Sequence, residues 1–386
     1  MFERELSILE QEHLLRRTTV IESYDGPRVT IAGKSVLLMC SNDYLGLSRH
    51  SALRVAAVAA MERYGFGSGA SRLVSGTCPL HAELEERIAR FKCADAAILF
   101  NSGYAANTGI IPAIAGEGDV VLSDSLNHAS IIDGCRLTKA QVRVYRHKDA
   151  NHLEELLKES GRAGRRLIVT DGVFSMDGDI APLPELVALS EKYDAMLMVD
   201  DAHGTGILGK NGRGVVEHFG LEGKVQIQMG TLGKALGSYG AYAAGGRDLI
   251  DFLMNRSRSF IYSTALPASV CAASIAALSI VEQQPELREG LWQNLLRLTA
   301  GLEALGIDAH GSETPIIPLL IGDSEKTVRT GSRLFDYGIY ASAIRPPTVA
   351  EGTARIRLTL MATHSASDVD LLLDALRKLK EEGLIP

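Results

Sequence analysis

Between residues 95 and 245 the sequence alternates short apolar runs with stretches of helical periodicity, a pattern few folds accommodate. The runs are Ala96–Phe100, Val120–Leu122, Val142–Tyr145, Leu167–Val169, Met196–Val199 and Val225–Gln228, rich in Val, Ile or Leu and followed by polar or glycine residues. Helical patterns lie between them, as in Asn151–Glu159 and Pro184–Tyr193. Runs without a polar face suit strands covered on both sides, which predicts an α/β domain with a mostly parallel sheet. Ligands of such sheets bind outside the carboxyl ends of the strands, so the residues just after each run can carry chemistry.

The tail follows another pattern. Ile316–Ile321, Tyr340–Ile344 and Arg355–Met361 read as strands, and Lys326–Tyr337 and Ser367–Glu382 as helices, a smaller α+β unit. A helical stretch from Leu266 to Leu305, interrupted near Pro285, joins the two. The first 20 residues read as a charged helix, with Val29–Ile31 and Val36–Met39 as a hairpin or edge strands. The expected organisation is an N-terminal arm (1–45) packing with a small C-terminal domain (286–386), and a large domain (46–285).

Composition narrows the function classes. The 386 residues are 46% hydrophobic and 23% charged, which suits a soluble protein of this size. A net charge of −7 argues against a nucleic-acid partner. The apolar stretch Leu266–Val281 is broken by Pro267, Ser269, Ser274 and Ser279, which predicts a buried helix rather than a membrane span. Met1-Phe2-Glu3-Arg4-Glu5 predicts no secretory leader. Five scattered cysteines without C-x-x-C spacing predict reduced, mostly buried thiols of a cytoplasmic protein.

The strand ends hold the chemistry. Asp200-Asp201-Ala202-His203-Gly204-Thr205-Gly206 follows Met196–Val199, and reads either as a site in the crevice or as a solvated loop with a capping Asp. In Gly230-Thr231-Leu232-Gly233-Lys234-Ala235-Leu236-Gly237, no other charge stands between Lys224 and Arg247. Apolar, glycine-rich surroundings let a lysine act as nucleophile and base. A P-loop would need Gly at 228 and Ser or Thr at 235, where Gln228 and Ala235 stand. Gly65-Phe66-Gly67-Ser68-Gly69-Ala70 matches a dinucleotide fingerprint by letter, but follows a helical stretch instead of a strand.

Asn101-Ser102-Gly103-Tyr104 opens a helix after Ala96–Phe100, where backbone N–H groups suit a phosphate, although Tyr104 can equally be core. His128, in Asn127-His128-Ala129-Ser130, can stack on a planar cofactor or cap a helix. Asp171-Gly172-Val173-Phe174-Ser175-Met176-Asp177-Gly178-Asp179 offers a hydroxyl in a polar turn. No H-E-x-x-H or comparable spacing supports a metal site. Phosphate donors, a stackable His, an Asp, a second His and a Lys at one sheet edge are what a pyridoxal-phosphate enzyme needs.

These motifs, with Ser41-Asn42-Asp43-Tyr44-Leu45-Gly46-Leu47 and the tail Ile344-Arg345-Pro346-Pro347-Thr348-Val349 … Gly352-Thr353-Ala354-Arg355-Ile356-Arg357-Leu358-Thr359, resemble the α-oxoamine synthases among the fold-type-I pyridoxal-phosphate transferases. The resemblance implies that Lys234 carries the cofactor as a Schiff base, that Asp200 keeps the ring nitrogen protonated and that His203 bonds the ring hydroxyl. It implies that His128 stacks on the ring, that Ser175 and Thr231 touch the cofactor, and that the Gly103 and Tyr104 amides hold the phosphate. Ser263 and Thr264 would reach the phosphate from the partner subunit of a homodimer. Arg357 would hold the amino-acid carboxylate, with Asn42, Arg16 and Thr348 as further substrate contacts. Strand alternation puts Arg355 and Arg357 on one face and cannot by itself choose between them.

The tail resembles the branch that condenses L-alanine, with loss of carbon dioxide, with a pimeloyl thioester on coenzyme A or a carrier protein. Ala350 stands where that branch has Pro. The paired prolines predict a stiff, extended backbone that fixes Thr348 beside the substrate. The alternatives are a sibling taking glycine with a short acyl donor, and a catalytically silent subunit of the same fold.

Overall fold

The computed structural model describes residues 2–161 and 163–386. The chain divides into two compact units. One comprises Leu47–Phe174 and Ile180–Pro285; the other comprises the chain up to Gly46, the short segment Ser175–Asp179, and Glu286–Pro386.

The Leu47–Pro285 unit is built on a seven-stranded sheet. Its spatial order is Ala96–Phe100, Ala241–Gly245, Ile227–Thr231, Met196–Asp200, Arg166–Asp171, Val120–Asp124, Gln141–Tyr145. All strands but Ala241–Gly245 run the same way, and that one pairs antiparallel with both neighbours. Every residue of Ala96–Phe100, Val120–Asp124 and Ala241–Gly245 is buried, as burial on both faces requires. Ala-Tyr-Ala-Ala-Gly contains no β-branched residue and gives no strand signal in the sequence. The small side chains suit the crowding there: a Cβ on Gly245 would lie 2.5 Å from the Gln226 carbonyl oxygen. The strand expected at Val225–Gln228 is shifted to Ile227–Thr231, which places Thr231 at its carboxyl end. The long helical stretch expected from Leu266 to Leu305 is the helix Ala268–Gln283 followed by Pro285–Ala304, broken where expected.

The other unit begins with a helix, Glu3–Gln11, much shorter than the 20 residues expected. It stops because His13 turns to φ +57°, the Leu14 and Leu15 N–H groups fold back onto the Leu9 carbonyl, and the β-branched run Thr18-Thr19-Val20-Ile21 follows. Arg28–Ile31 and Lys34–Leu38 form the expected hairpin, closed by Ala32 and Gly33 at φ +49° and +73°, as a two-residue turn between twisted strands demands. The strand read as Tyr340–Ile344 is two pieces. Ile339–Tyr340 pairs parallel with Lys34–Leu38, and Ser342–Ile344 pairs antiparallel with Ala354–Thr359, so the chain changes sheets at Ala341. An alternating pattern cannot register such a switch, because it reports which face is buried and not which strand is the partner.

All five cysteines are free, but only Cys135 and Cys271 are buried; Cys93 is exposed, and Cys40 and Cys78 are partly so, against the expectation of mostly buried thiols. Among the described residues no helix is long and apolar enough to cross a membrane.

Candidate active site

At the carboxyl ends of the sheet, Lys234 Nζ lies 2.8 Å from His203 Nε2. Both follow strands, Ile227–Thr231 and Met196–Asp200, that are neighbours in the sheet. Asp200 ends the second of these, with its side chain in the interior. Its Oδ2 accepts from Asn107 Nδ2 at 2.7 Å, and its Oδ1 from the Ala202 N–H at 3.0 Å. Burial raises its pKa, opposed by the Lys234 charge and these two hydrogen bonds. No basic side chain among the described residues makes an ion pair with it.

Asp171 pairs with Asp200 in register across the sheet, and burial plus the Asp200 charge push its carboxyl well above the usual range. Its Oδ2 accepts the backbone N–H of His128 at 2.7 Å. His128 caps the helix Ala129–Leu137: its Nδ1 accepts from the Ser130 N–H at 3.2 Å and meets Ser130 Oγ at 2.7 Å. Nδ1 as acceptor leaves the ring proton on Nε2. Burial holds the ring below the ordinary histidine value, and the nearby Lys234 charge acts in the same direction. Capping thus fixes the imidazole without excluding a stacking role.

Ser102 caps the helix Gly103–Ile114 through the Ala105 N–H, leaving Gly103 and Tyr104 in its first turn. A Cβ on Gly103 would sit 2.8 Å from Thr231 Cγ2, so this close approach of two strand ends needs glycine. Tyr104 is half exposed, with its hydroxyl on Asp133 Oδ2, so it is not core. Ser263 is partly exposed and Thr264 exposed, and Thr264 bridges to Ser71 and offers its carbonyl to Asn101 Nδ2 at 2.7 Å.

The other unit gathers the remaining predicted residues. Arg355 and Arg357 project from Ala354–Thr359, both largely buried. Arg355 is ion-paired with Asp177. Arg357 Nε donates to the Ser175 carbonyl, and its two terminal nitrogens reach Asn42 Oδ1 at 3.1 and 3.2 Å. No carboxylate among the described residues pairs with Arg357, whose guanidinium is hydrogen-bonded to the uncharged oxygens of Ser175 and Asn42. Ser175 is therefore brought to Arg357 through its carbonyl, within this unit.

Arg16 is exposed, and its Nη2 donates to the carbonyls of Arg345 at 3.2 Å and Pro346 at 2.8 Å. The backbone expected to run extended through the prolines turns there instead. Pro346–Pro347 is cis, and the exposed Thr348 returns its N–H to the Arg345 carbonyl at 3.1 Å.

Sequence reasoning passed over Asn107, the neutral partner of Asp200. It stands one helical turn after Gly103 on a helix whose other buried positions are Ala, Gly and Ile, and a lone amide there was the available signal. Nothing local to Asp171 in the sequence shows that its partner is the His128 backbone N–H.

The chain belongs to the aminotransferase class I and II family, whose model matches residues 34–376. Its architecture is that of the fold-type-I pyridoxal-phosphate transferases, a mostly parallel sheet unit with a smaller C-terminal one. It is 54% identical over 385 residues to the 8-amino-7-oxononanoate synthase of Geobacter sulfurreducens, covering 99% of this chain and 98% of that one. Among solved structures, a serine palmitoyltransferase of S. paucimobilis with a bound PLP–myriocin aldimine is 33% identical, with TM-score 0.93 over 100% of this chain and 98% of that one. The 8-amino-7-oxononanoate synthase of Francisella tularensis is 30% identical, with TM-score 0.78 over 91% and 99%. Shape alone does not separate these activities.

Proposed function

We propose that this protein is an 8-amino-7-oxononanoate synthase, a pyridoxal-phosphate-dependent acyltransferase of biotin synthesis. It condenses L-alanine with a pimeloyl thioester, on coenzyme A or a carrier protein, releasing 8-amino-7-oxononanoate, carbon dioxide and the free thiol carrier. One observation carries the reading: the Lys234–His203 contact beside buried Asp200 in a chain 54% identical over 99% of its length to a synthase of that name.

The residues fit the cofactor. A buried carboxylate whose hydrogen-bond partners are an amide and a backbone N–H suits a protonated ring nitrogen, which would supply the missing counter-charge and keep the acid ionised. Lys234 would be the covalent anchor, His203 would take the ring hydroxyl, His128 would stack on the ring, and Thr231 with the first-turn amides of Gly103 and Tyr104 would hold the substituents and phosphate. Ser175 belongs to the same reading as a cofactor contact. Bound there, pyridoxal phosphate supplies an electron sink for the carbanion at the amino-acid Cα.

The chain's own residues then divide the work. Lys234 Nζ would remove and return the Cα proton. Arg357, buried and without a carboxylate partner, takes the alanine carboxylate in its planar fork and so fixes which Cα bond can break. Arg355, already paired with Asp177, is the weaker candidate. Asn42, Arg16 and Thr348 complete the substrate contacts.

A homodimer belongs to this reading, with Ser263 and Thr264 serving the partner's phosphate site. Phe66, Val74 and Tyr262 are 84%, 80% and 70% exposed, and a second copy would cover them. A cytoplasmic location agrees with five free thiols.

A donor panel tests the assignment. L-alanine with pimeloyl-CoA should give the highest kcat/KM, because each buried methylene adds about 0.8 kcal/mol. If glycine with acetyl- or succinyl-CoA were the better pair, the assignment would fall to a sibling synthase.

A further inference from the structure

Lys92 and Asp201 lie outside every role given so far. Both side chains are fully buried, and Nζ stands 2.7 Å from Oδ2. Lys92 ends the helix Pro79–Phe91, and its Nζ also reaches Thr205 Oγ1 at 3.5 Å and the Arg213 carbonyl. Asp201 accepts from Thr205 Oγ1 at 3.0 Å and from the Val215 N–H at 3.1 Å, while Thr205 Oγ1 meets the Tyr242 hydroxyl at 2.9 Å. Burial alone would pull the Lys92 ammonium pKa down; the Asp201 carboxylate and the Tyr242 hydroxyl beside it more than reverse that.

The loop is moulded around this carboxylate. A Cβ on Gly214, at φ +104°, would stand 1.6 Å from Asp201 Oδ2, and one on Gly204 would stand 2.1 Å from Oδ1. Replacing a buried ion pair by apolar side chains of similar volume is often neutral or stabilising, so stability alone does not account for charges here. Sequence position supplies another reason. Asp201 directly follows Asp200, and its carbonyl accepts the N–H groups of Gly204 and Thr205 at 3.2 and 3.0 Å, closing the turn that carries His203. Its own N–H is tied to the Met229 carbonyl at 2.7 Å, on the strand that leads to Lys234.

We propose that the Lys92–Asp201 pair is a positioning pair, which holds the 200–205 turn so that Asp200 and the His203 imidazole keep their places against Lys234. The proposal rests on the reading of Lys234 as the cofactor lysine only for its effect on turnover; the placement of His203 is a property of the bare chain.

The test is the double variant Lys92→Met/Asp201→Leu, which removes both charges without stranding either. In the cofactor-free protein, the 15N resonance of the His203 ring nitrogen facing Lys234 should shift. With cofactor, kcat should drop on the order of a hundredfold, as for a small misplacement of a catalytic group, while the KM for alanine stays within a few-fold. A variant that melts with the parent and keeps both the His203 resonance and kcat overturns the proposal and makes the pair structural only. Should that variant not fold, Lys92→Gln/Asp201→Asn keeps neutral hydrogen-bonding groups in place. The same shift is expected there, and an unmoved resonance overturns the idea. Borohydride labelling of the parent at Lys234 checks the cofactor reading separately.

Discussion

The cluster at the sheet's carboxyl ends and the strand Ala354–Thr359 both bury charge, but with different chemistry. Lys234, His203, His128, Asp171 and Asp200 are all titratable, and burial moves the proton affinities of three of them: Asp171 and Asp200 upward, His128 downward. Arg355 and Arg357 are fixed charges, and the difference between them is whether a counter-ion is built in. A region whose charge states can be exchanged is suited to moving protons. A region with a permanent, unpaired guanidinium is suited to gripping an anion.

That contrast can be broken most sharply at Lys234. Lys234→Ala should abolish turnover and covalent retention of the cofactor; borohydride that still fixed cofactor to the variant would move the anchor to another lysine. Next comes Asp200→Asn, which keeps the shape and removes the charge. Exchange of the alanine Cα proton with solvent should fall on the order of a hundredfold or more. Unaltered exchange would show that the carboxylate is not the electrostatic partner of the ring.

The fixed-charge side predicts binding effects. Arg357→Ala should weaken alanine by about 1.5–3 kcal/mol, the range for a hydrogen bond to a charged group. Arg355→Ala should cost stability more than affinity, because it strands Asp177. A larger loss of alanine affinity in Arg355→Ala would exchange their roles.

The smallest effect concerns protons that the fold refuses. His364 is buried, its Nδ1 accepting from the Met361 N–H and its Nε2 facing the Leu38 carbonyl, both at 3.0 Å, and burial lowers its pKa. Below about pH 6.5 the unfolded chain takes up a proton that the folded one does not, so this contribution to stability is present above 6.5 and declines as pH falls. The slope from one such group is at most about 1.4 kcal/mol per pH unit. His364→Gln should flatten the denaturation midpoint's pH dependence between pH 6.5 and 5; an unflattened profile would assign the slope to His81 or His128, which burial also lowers.

The sequence was most readable where one pattern had one cause. Six apolar runs mark strands, five of them buried on both faces and the sixth, Val142–Tyr145, at the sheet edge with Val142 and Val144 exposed, and Lys234, Asp200 and His203 are legible because each sits beside a strand end. Ala241–Gly245 escaped because small residues give no strand signal, although the sheet closes around them. Lys92 and Asp201 escaped for a different reason: they are 109 positions apart, and each taken singly looks like an ordinary surface charge. Asn107 and Asp171 act through partners 93 and 43 positions away along the chain.

The division into units that interrupt one another has a consequence for synthesis. On a ribosome delivering the N-terminus first, every residue of the Leu47–Pro285 unit has emerged once Pro285 has. The other unit must wait, because Lys34–Leu38 pairs with Ile339–Tyr340 and Asn42 meets Arg357 only after some three hundred further residues have been made. The nascent chain can therefore complete the unit that holds Lys234 while the setting of Arg357 is still unmade. Neither half can be obtained by a single truncation of the gene.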